Sequence, residues 1–349
     1  MSILKNQVGI IILICFVLLQ YPINASARKA GGDTYAFLNL GPGARALGLG
    51  GAFVAIADDS SASYWNPAGL AMIKSREVIL MSDFGGNNEI ETKYSYMSSA
   101  SPINLNKLLP LKFFKNSDGI GISLINFGVD DIPKTGIDAY NEIIKIGAFD
   151  DEERAFIFSY GNEIIEEFFL VGISFKYITH KFDGHSGKGF GIDLGALANV
   201  SSMFDRKYKT ILGLRNVRIG GCIKNNFKKK WDSGPNDEGS ISSELGLAFD
   251  LLKDRKWTCS LALKQGEERP LIASLGTEFQ LIEDLLTIRG GINNWYLENR
   301  YKELDLKKLN YARKWSLGVG IRVGRGEIDY AISSGRFETK HQLSTTIKF

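Results

Sequence analysis

From about residue 76 to the last residue, apolar and polar positions alternate with a period of two. In WTCSLALK, Trp257, Cys259, Leu261 and Leu263 alternate with Thr258, Ser260, Ala262 and Lys264. In WSLGVGIRVG, Trp315, Leu317, Val319, Ile321 and Val323 alternate with Ser316, Gly318, Gly320, Arg322 and Gly324. FFLVGISFKY sets Phe169, Val171, Ile173, Phe175 and Tyr177 against Leu170, Gly172, Ser174 and Lys176. Successive side chains of a strand point to opposite faces, so each segment predicts a strand with one apolar and one small or polar face. A helical period would scatter the same residues over both sides.

Segments of this kind fall at 76–84, 90–98, 118–128, 154–162, 168–180, 187–199 and 215–226 in the first half. The second half adds 239–251, 255–265, 271–282, 285–297, 312–324, 325–335 and 338–349. That makes about 14 strands, mostly of about 9 to 13 residues, and an even count is what single-chain transmembrane barrels use. If the first strand runs outward, the inner turns NEIIEE, LKDRK, EDL and Gly324 to Gly326 are short, whereas the outer connections 129–153, 227–238 and 298–311 are long and charged. Short inner turns against long outer loops is the asymmetry of membrane barrels. The inner connections 99–117 and 200–214 and the short outer turn FGGNN depart from it.

Soluble sandwiches alternate too, but they hide the apolar face against a second sheet, whereas a barrel turns it to lipid. Here nearly every strand pairs an apolar face with Gly, Ser, Thr and isolated charges, which predicts a transmembrane antiparallel β-barrel, all-β in class. Tyr296, Tyr301 and Trp315 then fall near the outer membrane interface, and Trp257 and Phe349 near the inner one. Lys176, Asp193, Asp250, Glu278, Arg289 and Arg322 are expected on inward faces, since a charge facing lipid near the midplane costs about 2 to 4 kcal/mol. The last strand, HQLSTTIKF, is amphipathic and ends on Phe349, a terminal aromatic that resembles the assembly signal of bacterial outer-membrane barrels; a barrel-assembly machinery is the partner this implies.

Composition changes this picture little. The chain has 349 residues, 44% of them hydrophobic, a mean hydropathy of -0.07, 38 Gly and 8 Pro. Its beginning reads as a secretory signal, with Lys5 as the positive region, Val8 to Leu19 as the apolar run and NASA as the cleavage site after Ala27. Removing residues 1–27 takes away Lys5 and no acid, so the formal charge of +3 becomes +2. A small charge spread along the chain argues against a nucleic-acid partner. Cys15 lacks the small residues expected ahead of a lipid-acceptor cysteine, and the two remaining cysteines, Cys222 and Cys259, are too few for a disulfide scaffold. They read as lone thiols or one bridge.

Residues 37–73 differ in character. In FLNLGPGARALGLGGAFVAIADDSSASYWNPAGLAMI the glycines at 41, 43, 48, 50 and 51 permit close approach and positive φ. Asp58, Asp59 and Ser60 suit the start of one short helix. Asn66 suits the cap of another, with Pro67 at its first position, next to Trp65 and Gly69. This predicts a compact, turn-rich piece with one or two short helices, a non-strand segment that can fill the lumen of a closed barrel. The organisation expected is a signal peptide over 1–27, this segment over 28–75 and the barrel over 76–349, with inward charges either hydrating the lumen or pairing with Arg45, Asp58 and Asp59.

LGPGARALGLGGAFVAIADDSSASYWNPAGLA resembles the N-terminal signature of the PorV/PorQ family of outer-membrane proteins, within the wider FadL-like barrel group. The resemblance implies a 14-stranded barrel with an N-terminal hatch. FadL-like members carry long-chain fatty acids and other hydrophobic compounds across the outer membrane, and PorV and PorQ act in type IX secretion on exported proteins at the cell surface. The motif marks the hatch and not the cargo, and no substrate-binding residue is carried over from it.

Other chemistry finds no pattern. LGLGGAF lacks dinucleotide spacing, and SGKGFG around Lys188 lacks the upstream Gly and the following Ser or Thr of a phosphate loop. His180, His185 and His341 have no metal-ligand spacing, and no cofactor, metal or catalytic group is expected. Asp58 with Asp59 reads as capping and salt-bridging rather than as a carboxylate pair for catalysis. The sequence thus points to a monomeric outer-membrane barrel that passes hydrophobic small molecules, or alternatively binds secreted proteins.

Overall fold

The computed structural model describes residues 34–84, 92–104, 117–204, 210–211, 214–251, 257–266, 271–297, 314–334 and 339–349. The expected signal segment with Ala27, Tyr301, and the connections at 252–256 and 298–313 lie outside the described residues. Fourteen long strands follow one another in chain order. They are β1 (Glu77–Phe84), β2 (Thr92–Ile103), β3 (Asp118–Ile137), β4 (Ile143–Ile165), β5 (Phe169–Phe182), β6 (His185–Asn199) and β7 (Leu214–Asn226). Then come β8 (Ser240–Asp250), β9 (Trp257–Gly266), β10 (Ile272–Ile282), β11 (Leu286–Tyr296), β12 (Lys314–Val323), β13 (Gly326–Ser334) and β14 (Thr339–Lys348).

Every strand pairs antiparallel with its neighbours in sequence, and β14 returns to β1 in a register from Glu77↔Lys348 to Phe84↔His341. The sheet is therefore closed and leaves no edge within the wall. Its burial pattern is inverted relative to a soluble protein. On β12 the apolar residue Leu317 is 56% exposed and its neighbour Ser316 only 4%. Trp257, Trp315, Phe175 and Phe190 are likewise exposed, and Ser174, Thr258 and Ser260 are buried. A closed barrel with a continuous apolar exterior spans a membrane, and an even-stranded antiparallel barrel in one chain belongs in the outer membrane of a Gram-negative-type bacterium. Lys176, Asp193, Asp250, Glu278 and Arg289 are all buried inside the wall, with Arg322 partly open to the inner mouth, so the expected register holds. At that same mouth the Phe349 N–H donates to the Arg76 carbonyl at 2.8 Å, next to the β1–β14 seam.

The connection expected over 129–153 is not a loop. β3 runs on to Ile137 and β4 starts at Ile143, while β2 stops pairing at Val129 and β5 at Asp151, so a two-stranded ribbon stands beyond the barrel. Asp138 closes its tip by accepting from the N–H groups of Tyr140 at 2.8 Å and Glu142 at 2.9 Å. The flanking acids read as loop in the sequence, but ribbon residues are solvated on both faces and tolerate charge. The inner connection after β6 carries a helical turn, Ser201–Phe204, and a two-residue strand, Thr210–Ile211.

Residues 34–73 form no strand. They fold into 3-10 turns at Ala36–Asn39 and Pro67–Met72 and two short helices, α1 (Ala44–Gly48) and α2 (Ala62–Trp65). α1 packs on β11 to β14, the Pro67–Met72 turn on β2 to β6, and Val54 with Ala55 on β7 and β8. The segment thus touches the inner wall nearly all the way round. Its buried residues Leu49, Phe53, Val54, Ile56, Trp65 and Leu70 make the protein's apolar core, and that core lies inside the barrel.

Candidate functional site in the lumen

Asn66 and Pro67 organise one half of the luminal segment. Pro67 bars the α region at the residue before it, and Asn66 is extended at φ -161 and ψ 102. The Asn66 side chain accepts from the Ala68 N–H at 3.2 Å, and its amide donates to the Val54 carbonyl at 2.8 Å and to the Ala196 carbonyl of β6 at 3.0 Å. One residue therefore starts the turn, ties it to the preceding loop and ties both to the wall. Trp65 donates from Nε1 to the Pro42 carbonyl at 3.0 Å and packs edge-on against Phe53 and Tyr64. Gly69 lies so close to Ala57 that a Cβ there would stand 1.8 Å from the Ala57 carbonyl oxygen.

The wall meets this segment with glycine. A Cβ on Gly172 of β5 would stand 2.3 Å from Ala68 N, and one on Gly220 of β7 2.3 Å from the Val54 oxygen. Gly119, Gly161, Gly195 and Gly291 sit against the same segment at comparable distances. These positions alternate with the lipid-facing residues, so each strand offers apolar bulk outward and backbone inward.

The other half is held by charge. Arg45 of α1 bonds Asp58 at 2.6 Å, Asp59 at 3.1 Å and, across to β10, Glu278 at 3.0 Å. Glu278 also accepts from Arg289 at 2.7 Å, and Arg289 reaches Asp329 at 2.5 Å. Burial works against the Arg45 charge, but Asp58, Glu278 and Asp59 outweigh it and hold the guanidinium protonated well above its ordinary range. Burial also raises the Asp59 carboxyl, more than Arg45 and the Ser61 donors lower it. Asp59 accepts from the Ser61 N–H at 3.0 Å and Asp58 is taken by Arg45, while the residue at the start of α2 is Ser61 with no side-chain capping bond, so the expected caps Asp58, Asp59 and Ser60 serve instead in the luminal network.

Beside this network opens a cavity of about 210 Å³ at the inner mouth. Its cations are Arg45, Arg289, Arg322 and Lys348, and its carboxylates are Asp58, Asp59, Glu278, Glu327 and Asp329. Ser61, Gln280, Thr287, Ser344 and Thr346 add polar groups, and Gly43, Ala46 and Ile79 complete a mainly polar lining with one more acid than base. Such a space hydrates well.

At the outer end the segment is tied again. Tyr35 donates from its hydroxyl to the Phe227 carbonyl at 2.7 Å, and buried Lys229 donates to the Thr34 carbonyl at 3.0 Å and contacts His180 Nδ1 at 2.7 Å. His180 Nε2 faces Asp151 at 2.6 Å. Midway, Lys224 stands 3.9 Å over the Tyr64 ring, and Lys176 pairs with Asp193 at 2.6 Å.

The structure brings Arg45, Asp58, Asp59, Trp65, Asn66, Pro67 and Gly69 into one packed luminal body, with Glu278 and Arg289 as wall partners. Cys222 is buried facing the lumen and Cys259 faces outward, and both are free. His185, on the strand next to His180 and two register positions along, bonds Ser233, His341 bonds Tyr330, and no cluster of metal-binding type occurs among the described residues. Sequence reasoning missed the wall glycines and the Lys229–His180–Tyr35 tie. The glycines were visible as the small face of each strand, but their role appears only once the lumen is filled.

No family model matches the chain, and no curated protein matches it. Among solved structures it is similar to the toluene transporter TbuX of Ralstonia pickettii, at 12% identity and a TM-score of 0.55, over 88% of this chain and 98% of that one. It is similar to the monoaromatic hydrocarbon channel CymD with the same identity, TM-score and coverage. At that identity the likeness shows the fold alone, a closed 14-stranded antiparallel barrel, and both the FadL-like and the PorV/PorQ resemblance rest on the sequence motif.

Proposed function

We propose that the protein is a passive conduit for hydrophobic small molecules across the outer membrane, long-chain fatty acids among them, with residues 34–73 as its hatch. The observation that carries this reading is a lumen filled by a packed segment rather than an open pore. An apolar solute stalls in the polar outer leaflet, and a barrel with a partly apolar plug gives it a route. The fold likeness to a toluene transporter and a monoaromatic channel supports apolar cargo. Nothing in the route needs ATP or a catalytic group.

The test is uptake of labelled oleate and toluene by a strain lacking the gene, complemented with the wild type or with a hatch cross-linked to the wall. Restoration by the wild type alone is expected. Normal uptake in the deletion strain, together with purified protein free of bound lipid, would sink the reading.

A second reading is a surface scaffold that binds exported proteins, as the PorV-like motif implies. The β3–β4 ribbon favours it, because Ile137, Tyr140 and Ile143 are 72%, 86% and 80% exposed at a tip beyond the membrane. Replacing 132–149 with a short turn should abolish co-purification of exported proteins and spare uptake; no co-purifying protein from the wild type would remove this reading.

A further inference from the structure

On the lipid side of β4, β5 and β6 two consecutive rows of residues differ sharply. The lower row is aromatic: Phe156 pairs with Tyr177 and Tyr177 with Phe190 across the ladder, the last two with ring centroids 5.3 Å apart. The next row outward is Arg154, Thr179 and Lys188, in register in the same order. Lys181 stands one outward position above Thr179. The side chains of Arg154 and Lys181 are 46% and 72% exposed, and Lys188 is exposed as well.

Depth fixes what surrounds this row. On β5 the outward residues Phe169, Val171, Ile173, Phe175 and Tyr177 are all apolar. Eight steps of about 3.4 Å tilted by about 40° raise Tyr177 roughly 21 Å above Phe169, close to the apolar band of a membrane barrel. Thr179 and its neighbours therefore sit at the outer headgroup level. Neighbouring strands are about 4.8 Å apart, so the Arg154 and Lys188 backbones lie roughly 10 Å apart with the Thr179 hydroxyl between them. Two long, flexible side chains at that spacing converge on one group above Thr179. The patch is local: on β7 and β8 the outward residues near the outer end are Asn225, Ile241 and Ser243.

We propose that Arg154, Thr179 and Lys188, with Lys181 above them, form a site for the phosphomonoester of an outer-leaflet glycolipid. Charge selects that chemistry. Glu152 is ion-paired with Arg154 and 3.9 Å from Lys181, Asp232 is held by Ser186 across from Lys181, and Lys230 lies opposite Lys188, so four cations face two acids. The remaining charge of two matches a monoester, which carries about -1.5 to -2 near neutral pH, better than the single charge of a diester. Arg154 supplies a planar fork for two phosphate oxygens, Lys188 a point charge and Thr179 a hydroxyl donor. The aromatic row below receives the acyl chains. The site is independent of the luminal reading, since all its side chains face away from the hatch.

The test uses the full-length barrel in phosphatidylcholine nanodiscs carrying a small share of bisphosphorylated lipid A or of its dephosphorylated form, with retained lipid counted by native mass spectrometry. The wild type should retain the phosphorylated form selectively. R154Q/K188Q should retain it about thirtyfold less, the effect of two cations beside an anionic headgroup. K188Q alone should show about a fivefold loss, and K134Q on the ribbon none, each with a normal heat-modifiable band. Equal retention by R154Q/K188Q, no preference for the phosphorylated form, equal retention of phosphatidylglycerol, or displacement by inorganic phosphate would each overturn the proposal.

Discussion

Gly172→Ala is the smallest change that tests how the luminal segment is held. The added Cβ would stand 2.3 Å from Ala68 N and from Pro67 C, and 2.5 Å from the Pro67 oxygen. Ordinary carbon contacts begin near 3.4 Å, so the Pro67–Met72 turn must move by about 1 Å. The Asn66 bond to the Ala196 carbonyl, 3.0 Å in the seated segment, then stretches to about 4 Å and is lost. Overpacking costs about 1 to 3 kcal/mol and the lost bond about 1, so the seated state should be disfavoured by about 2 to 4 kcal/mol, or roughly 30- to 1000-fold. The barrel pays none of this, because alanine is at least as good as glycine within a strand. The assay is protease protection of residues 34–73 in reconstituted protein, alongside single-channel conductance and the heat-modifiable gel band. Gly172→Ala should expose the segment and raise conductance with the barrel intact. Gly147→Ala, where nothing lies within 4 Å of the new Cβ, should change neither. If Gly172→Ala matched the wild type in protection and conductance, the close backbone seat would not be what holds the segment.

Two further outcomes follow from the charge network. Arg45→Gln leaves Glu278 with Arg289 but takes from Asp59 its cation and from α1 its tie to β10; unpairing a buried charge costs about 3 kcal/mol or more, so α1 should detach from β10 and leak current should rise. Adding Glu278→Gln should restore part of that loss in a double-mutant cycle, and full additivity would refute the direct pairing. For Asp59 the sign is set by its raised pKa: the folded segment binds that proton more tightly than the unfolded one. Its contribution favours the seated segment at pH below the ordinary carboxylate range and is lost as pH rises through the raised pKa. Asp59→Asn should therefore flatten the acid dependence of protease protection without weakening it at neutral pH; a steep loss of protection at pH 7 would contradict this.

The wall was legible in the sequence almost strand by strand, because period two together with a small inner face survives whatever fills the barrel. WSLGVGIRVG announces both faces of β12, and the alternation alone places Arg322 and Ser316 inward. The ribbon was not legible, since Asp130, Asp131 and the DDEER run carry the charge of a loop, and an isolated ribbon has no buried face to demand alternation. Asn66 and Pro67 were legible as a cap and a start because that chemistry is local. Their wall partner, the Ala196 carbonyl, lies 130 residues away and leaves no local trace. Glycine is the most instructive case. Within a strand, Gly172 reads as a weak position, a loss of side-chain packing and of chain stiffness. In the closed barrel it is the point where another backbone lies so close to the wall that a Cβ would not fit, so the weakness of the strand is the room for the segment. Periodicity assigns each residue to a face but is blind to the occupant of that face. Where a small face recurs on strand after strand, the sequence is recording the shape of something that lies against it.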